Sequence, residues 1–239
     1  MTTAAQIAAL TKAVSQDRLQ TYITAAATTG SDALDLYVWD RDISMALLAD
    51  VAIVEVALRN SMHAALEAAT STPEWYLLPL GFDDRSQSAL STAWVRVPAK
   101  IRTPGRVVAQ LMFGFWSGLL DSGGYRGREP QRFKCDYEQL WRTTLRMAFP
   151  GGRWMARAEG GRFSRLWVLE TVSVVHATRN RAAHHEPFIN GFPLPGQKTR
   201  LTPQQAHDAC LKLARIIDQD LGSWLQATSA VPAVLARRP

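Results

Sequence analysis

The sequence predicts an all-α fold, on three observations. Apolar residues recur at helical spacing nearly throughout, and no run alternates as a strand would. Proline and glycine clusters fall between the periodic stretches. Ser, Thr and Asp stand where helices would begin. No low-complexity linker interrupts the chain, so residues 1–239 read as one all-α domain, with the helices of 1–70 as an accessory layer.

The elements follow in order. A first helix covers about Ala4–Ala27 and stops at Gly30. Ser31 is placed to cap a short helix, and Asp42 a longer one from Ile43 to about Ala69. Pro73, Pro79 and Gly81 mark a turn before a helix from about Asp83 to Val97, with Asp83-Asp84 as capping residues. In TPGRVVAQLMFGFWSGLL, Thr103 caps, Pro104 takes the first helical position, and Val107–Leu120 form an apolar helix whose FGFW reads as core. DSGGYRGREP is a glycine-rich basic loop. CDYEQLWRTTLRMAF is amphipathic and stops at Pro150-Gly151-Gly152. A helix from about Arg162 to His185 is ended by Pro187, which pushes the residue before it out of helical dihedrals. Thr202-Pro203 open a last helix to about Gln226, and the VPAVLARRP tail is expected to fray.

At 239 residues and 47% hydrophobic the chain can bury a core without staples, and eight tryptophans supply bulk for it. Two distant cysteines, Cys135 and Cys210, exclude a disulfide framework or a cysteine zinc site. MTTAAQIAAL lacks the basic and apolar regions of a signal peptide, and the apolar run VAIVEVAL is interrupted by Glu55 and closed by Arg59. The expectation is a cytoplasmic protein with no membrane partner.

The net charge of +6 is unevenly spread. Residues 1–95 carry five Lys/Arg against eleven Asp/Glu, whereas residues 96–165 carry fourteen against five. Arginine dominates that basic middle, and its planar fork suits phosphate. Arg126, Arg128, Arg132, Lys134, Arg142 and Arg146 are the candidate RNA-backbone contacts, with a solvated basic face as the alternative.

The densest polar cluster is RNRAAHHEPF, Arg179–Phe188, which follows the apolar LWVLETVSVVHAT. His176, Asn180 and His184 are spaced i, i+4, i+8 along one helix face. Arg179 lies roughly 140° from His184 around an ideal helix, so the two would meet only by curling, around a substrate, or across a subunit boundary. A histidine near neutrality and a permanently charged arginine suit phosphodiester chemistry: one moves protons, the other holds the phosphorane. The competing reading is a helix end in which basic residues cap carbonyls and Glu186 pairs with an arginine. Adjacent His184-His185-Glu186 diverge on a helix and do not suggest a metal site, and no cofactor motif is present.

A second stripe, Glu55, Arg59 and His63 in EVALRNSMH, repeats the i, i+4, i+8 spacing among apolar residues. It reads as a salt bridge, with Arg59 and Asn60 supporting the later Arg-Asn cluster. No Ser/His/Asp order, Walker loop, dinucleotide fingerprint or His-Glu-x-x-His is present.

Arg179 followed after four residues by His184 resembles the Arg-x4-6-His signature of HEPN domains. Five ordered blocks resemble the bacterial Abi-like (abortive infection) proteins: LYVWDRDIS at 36–44, EVALRNSMHAAL at 55–66, RVVAQLMFGFWSGLL at 106–120, LWRTTLRMAFP at 140–150, and RNRAAHHEP from Arg179. The resemblance spans most of residues 15–190 and weakens after about 200.

It implies an all-α HEPN-like bundle that homodimerises, with the motifs of two protomers facing each other in one composite site. Active members of the family are metal-independent endoribonucleases. The resemblance places the catalytic arginine at Arg179, the histidine at His184 and the accompanying polar residue at Asn180. His185, Arg181 and Glu186 belong to the surrounding block, with His176, Arg59, Asn60 and Glu55 as candidate supports. The expected function is RNA cleavage to a 2′,3′-cyclic phosphate and a 5′-hydroxyl, in phage defence or as a toxin-type effector restrained by an antitoxin or regulatory partner. The alternative is a non-catalytic HEPN module that binds RNA, a nucleotide or a protein.

Overall fold

The computed structural model describes residues 3–239, and the fold is predominantly helical. No helix among these residues is long and apolar enough to cross a membrane.

The first helical stretch divides into α1 (Ala4–Val14) and α2 (Gln16–Thr29). Ser15 between them has φ 75°, and its hydroxyl accepts from Arg18 N at 3.4 Å, a capping group that periodicity does not reveal. Gly30 ends α2 in the left-handed conformation, as expected. The next helix starts earlier than Asp42 suggested. The Asp32 carboxylate accepts from Leu34 N at 2.8 Å and Asp35 N at 3.1 Å, and α3 (Ala33–Thr70) then runs unbroken. Asp42 sits inside it and pairs with Arg41 at 2.7 Å.

Asp83 caps α4 (Asp84–Arg96) by accepting from Ser86 N at 2.9 Å. The single apolar helix expected over Val107–Leu120 is instead α5 (Pro104–Ala109) and α6 (Phe113–Gly118), parted at the extended Met112. Val107, Val108, Leu111, Phe113, Phe115, Trp116, Leu119 and Leu120 are all buried, and on one straight helix they would point to more than one face. Two short helices bury them all.

Strands were not expected, yet two short antiparallel hairpins form. One joins β1 (Tyr125–Arg126) to β2 (Phe133–Lys134), and the other joins β3 (Phe192–Pro193) to β4 (Arg200–Leu201). Two-residue strands are too short to show alternation.

Next come α7 (Tyr137–Thr143), a 3-10 turn at Leu145–Ala148, α8 (Gly152–Ala158) and α9 (Arg165–Ala183). The last expected helix breaks into α10 (Pro203–Ile217) and α11 (Gln219–Thr228), because the Asp218 carboxylate accepts from Leu221 N at 2.9 Å and starts a new helix. The tail forms α12 (Val231–Leu235) rather than fraying. Val231 and Val234 are buried, and Trp39 Nε1 donates to Val234 O at 2.9 Å.

The chain divides into two compact units. The first comprises the residues up to Asp50, with Ala177–Asp208 and Thr228–Pro239. Tyr22, Leu36, Trp39, Ile43, Leu47, Phe188, Phe192 and Val231 fill its core. Beside them one oxygen of the buried Asp50 carboxylate, Oδ2, accepts from Ser229 Oγ at 2.7 Å and lies 2.8 Å from His207 Nδ1.

The second unit comprises Val51–His176 and Ala209–Ala227. Val51, Val54, Leu58, Met62 and Leu66 form its apolar stripe on α3. Trp75 sits among Tyr76, Phe82, Phe115 and Trp116, all within 6.4 Å between ring centroids. FGFW is core, as its apolar surroundings predicted.

Candidate active site

The C-terminus of α9 is a Schellman turn, and its hydrogen bonds assign most of RNRAAHHEPF. His185 N donates to Ala182 O at 3.1 Å and Glu186 N donates to Arg181 O at 2.9 Å. His185 takes the left-handed position with φ 56°, where glycine is usual. Pro187 follows two residues later and prevents the helix from resuming. The helix therefore ends at Ala183, and the two histidines do not share its last turn as expected. His184 is the half-helical cap, its N–H still bonded to Asn180 O at 2.9 Å, and its side chain is exposed.

The residues after the turn are tied to α2 and α3 by groups that charge patterning did not single out. The Arg18 guanidinium donates to His185 O. The buried Asp40 carboxylate accepts from Phe188 N at 2.8 Å and from Tyr22 Oη at 2.9 Å. Burial raises the Asp40 pKa above the usual carboxylate value, against the lowering effect of these two hydrogen bonds. Burial also raises the Tyr22 hydroxyl, reinforced by the nearby Asp40 charge. Arg18, Tyr22, Asp40, Ser44, His185 and Glu186 line a small cavity of about 120 Å³. The signal for this anchor lay in LYVWDRDIS, whose Asp40 sits among buried neighbours.

Arg181 is committed to the turn. Its Nε donates to Pro187 O at 2.6 Å, it pairs with Glu186 at 3.2 Å, and its guanidinium lies 5.5 Å from the Phe192 ring centroid. Burial lowers its pKa, with Glu186 opposing. Arg181, His185 and Glu186 thus satisfy the capping reading. Arg179 and Asn180 are half-buried on the same last turn, with Arg179 Nη1 at 3.5 Å from Asn180 Oδ1.

His176, Arg59, Asn60 and Glu55 belong to the second unit. His176 stacks on Phe113 at 4.9 Å between centroids, and its Nδ1 lies 3.2 Å from Ser117 Oγ. Arg59 Nε donates to Asn60 Oδ1 at 3.4 Å. The half-buried His63 accepts at Nδ1 from Trp75 Nε1 at 2.7 Å, and burial lowers its pKa despite Glu67 nearby.

The expected RNA-contacting residues fall in two places. Arg126, Arg128, Arg132 and Lys134 lie on and between β1 and β2, where Arg132 stacks over Tyr125 at 4.2 Å. Arg142 and Arg146 line a cleft with four further arginines. Among the described residues, no three His, Cys, Asp or Glu side chains converge as a metal site would require. No protein-family model, curated protein or solved structure matches this chain.

Proposed function

We propose that the chain is a metal-independent endoribonuclease of HEPN type, acting in phage defence or as a toxin-type effector. The observation that carries this reading is the division of labour in RNRAAHHEPF. Arg181, His185 and Glu186 build the turn, and His184 is held exposed at its start, with Arg179 and Asn180 half-buried on the turn before it. The five ordered sequence blocks that resemble Abi-like proteins supply the rest of the support.

On this reading two copies of the chain bring Arg179 and His184 together across a shared cleft, which answers their angular separation on one helix. The RNA 2′-oxygen attacks phosphorus as its proton leaves, and the bond to the 5′-oxygen breaks as that oxygen gains a proton. His184 handles one of these proton transfers, and Arg179 holds the charge on the phosphorane. The products are a 2′,3′-cyclic phosphate and a 5′-hydroxyl, so DNA, lacking the 2′-hydroxyl, is not a substrate.

The test is cleavage of tRNA, mRNA and single-stranded RNA in EDTA. His184→Ala lowers the rate by about 100- to 10,000-fold, and Arg179→Ala lowers it too. Equal cleavage by wild type and variants would sink the site, and cleavage abolished by EDTA would replace the mechanism with a metal-dependent one. RNA bound but never cut would favour the binding-module alternative.

A further inference from the structure

The second unit contains a cleft of about 970 Å³ lined by Arg142, Arg146, Arg153, Arg157, Arg162 and Arg165. The lining includes one carboxylate, Glu138. The arginines come from separate local elements. Arg142 lies in α7, Arg146 in the 3-10 turn after it, Arg153 and Arg157 one turn apart on α8, and Arg162 and Arg165 at the entry to α9.

The Pro150-Gly151-Gly152 turn brings them around one space. A Cβ on Gly151 would lie 2.4 Å from Arg215 O, and one on Gly152 would lie 2.2 Å from the Phe163 ring. Gly151 therefore lets the turn approach the α10 backbone, and Gly152 lets α8 fold back against Phe163, which meets Trp141 edge-on at 5.3 Å in the cleft wall.

Glu138 accounts for two of the guanidinium groups, bonding Arg142 at 3.3 Å and Arg165 at 2.9 Å. Arg165 is buried and also donates to Leu120 O at 2.6 Å, which fixes it as part of the wall. Arg146, Arg153, Arg157 and Arg162 are exposed and make no ion pair among the described residues. A concave surface of one charge focuses its field into the enclosed space. The volume is at the upper end of the roughly 300–1,000 Å³ usual for small-ligand sites, and six arginines stand in the lining among Trp141, Phe163 and Leu166.

From this convergence we infer that the cleft binds a compact polyphosphate, such as the triphosphate chain of a nucleotide. Guanidinium forks approaching from several sides match several phosphates close together. They match an extended strand less well, because its phosphates would need a row of cations. The half-buried Phe163 offers one ring face or edge beside them. The cleft shares Arg142 and Arg146 with the expected RNA-backbone contacts, but none of its residues belongs to RNRAAHHEPF.

Titration calorimetry on the full chain, with inorganic tripolyphosphate, ATP, AMP and a short single-stranded RNA, tests the inference. Tripolyphosphate and ATP bind, AMP binds far more weakly, and Arg153→Glu with Arg157→Glu weakens both by about 100-fold. Arg162→Glu, in the loop before α9, provides a second variant if the double change disturbs α8. ATP binding more tightly than tripolyphosphate assigns the nucleoside to the ligand, and equal binding assigns the phosphate chain alone. His184→Ala binds as wild type does, which separates this site from the proposed nuclease. Absence of tripolyphosphate binding, binding indifferent to these substitutions, or RNA as the sole ligand lost with them would overturn the inference.

Discussion

His185 shows how one torsion angle can decide what a residue is for. A non-glycine residue in the left-handed region costs about 1 kcal/mol or more, and at His185 this cost accompanies a completed Schellman turn. Its main contribution is therefore made by its backbone, whereas His184 presents its imidazole. His185→Gly is expected to raise the unfolding free energy by about 1 kcal/mol in urea titration and to leave RNA cleavage in place. A loss of cleavage comparable to that of His184→Ala would give the His185 side chain a chemical role. The sequence displayed these groups plainly, but two adjacent histidines look alike in it. Only the φ of 56° and the bond from Glu186 to Arg181 O tell them apart.

Helix ends were legible where a strong capping residue coincided with a change in periodicity. Gly30 and Asp83 met that condition, Asp83 following the Pro79 and Gly81 break; Ser15 and Asp218 did not, because neither adjoins a proline or glycine, and Asp32 stands next to Ser31, an equally good cap. Asp83 also gives a test of the α4 cap. Burial alone would raise its pKa, but hydrogen bonds from Ser86 N, the Arg85 side chain and Gly124 N outweigh burial and hold it down to about 2, from 3.8. A depressed folded pKa stabilises the fold above the unfolded value, and the benefit is lost as pH falls from about 4 toward 2. Asp83→Asn is thus expected to cost about 2 kcal/mol at pH 6, with the gap to wild type closing near pH 2. Equal gaps in urea midpoint at both pH values would show that the carboxylate charge is not what stabilises the cap.

Across the chain, helical character was readable from hydrophobic period, and the basic middle from arginine counts. The grouping of arginines was not, since Arg142 and Arg165 are far apart in sequence and meet through Glu138. The partition of polar residues between two units was equally hidden, because α3, α9 and α10 each contribute residues to both. The central proposal is that Arg179 and His184 act together from two copies of the chain, and mixing inactive variants tests this most directly. Arg179→Ala and His184→Ala proteins, each inactive alone, are unfolded and refolded together, then assayed on RNA in EDTA. In a mixed dimer one copy keeps the arginine and the other keeps the histidine. If the site is composite, the mixture regains a substantial share of wild-type cleavage; a mixture that forms mixed dimers yet stays inactive rules the composite site out.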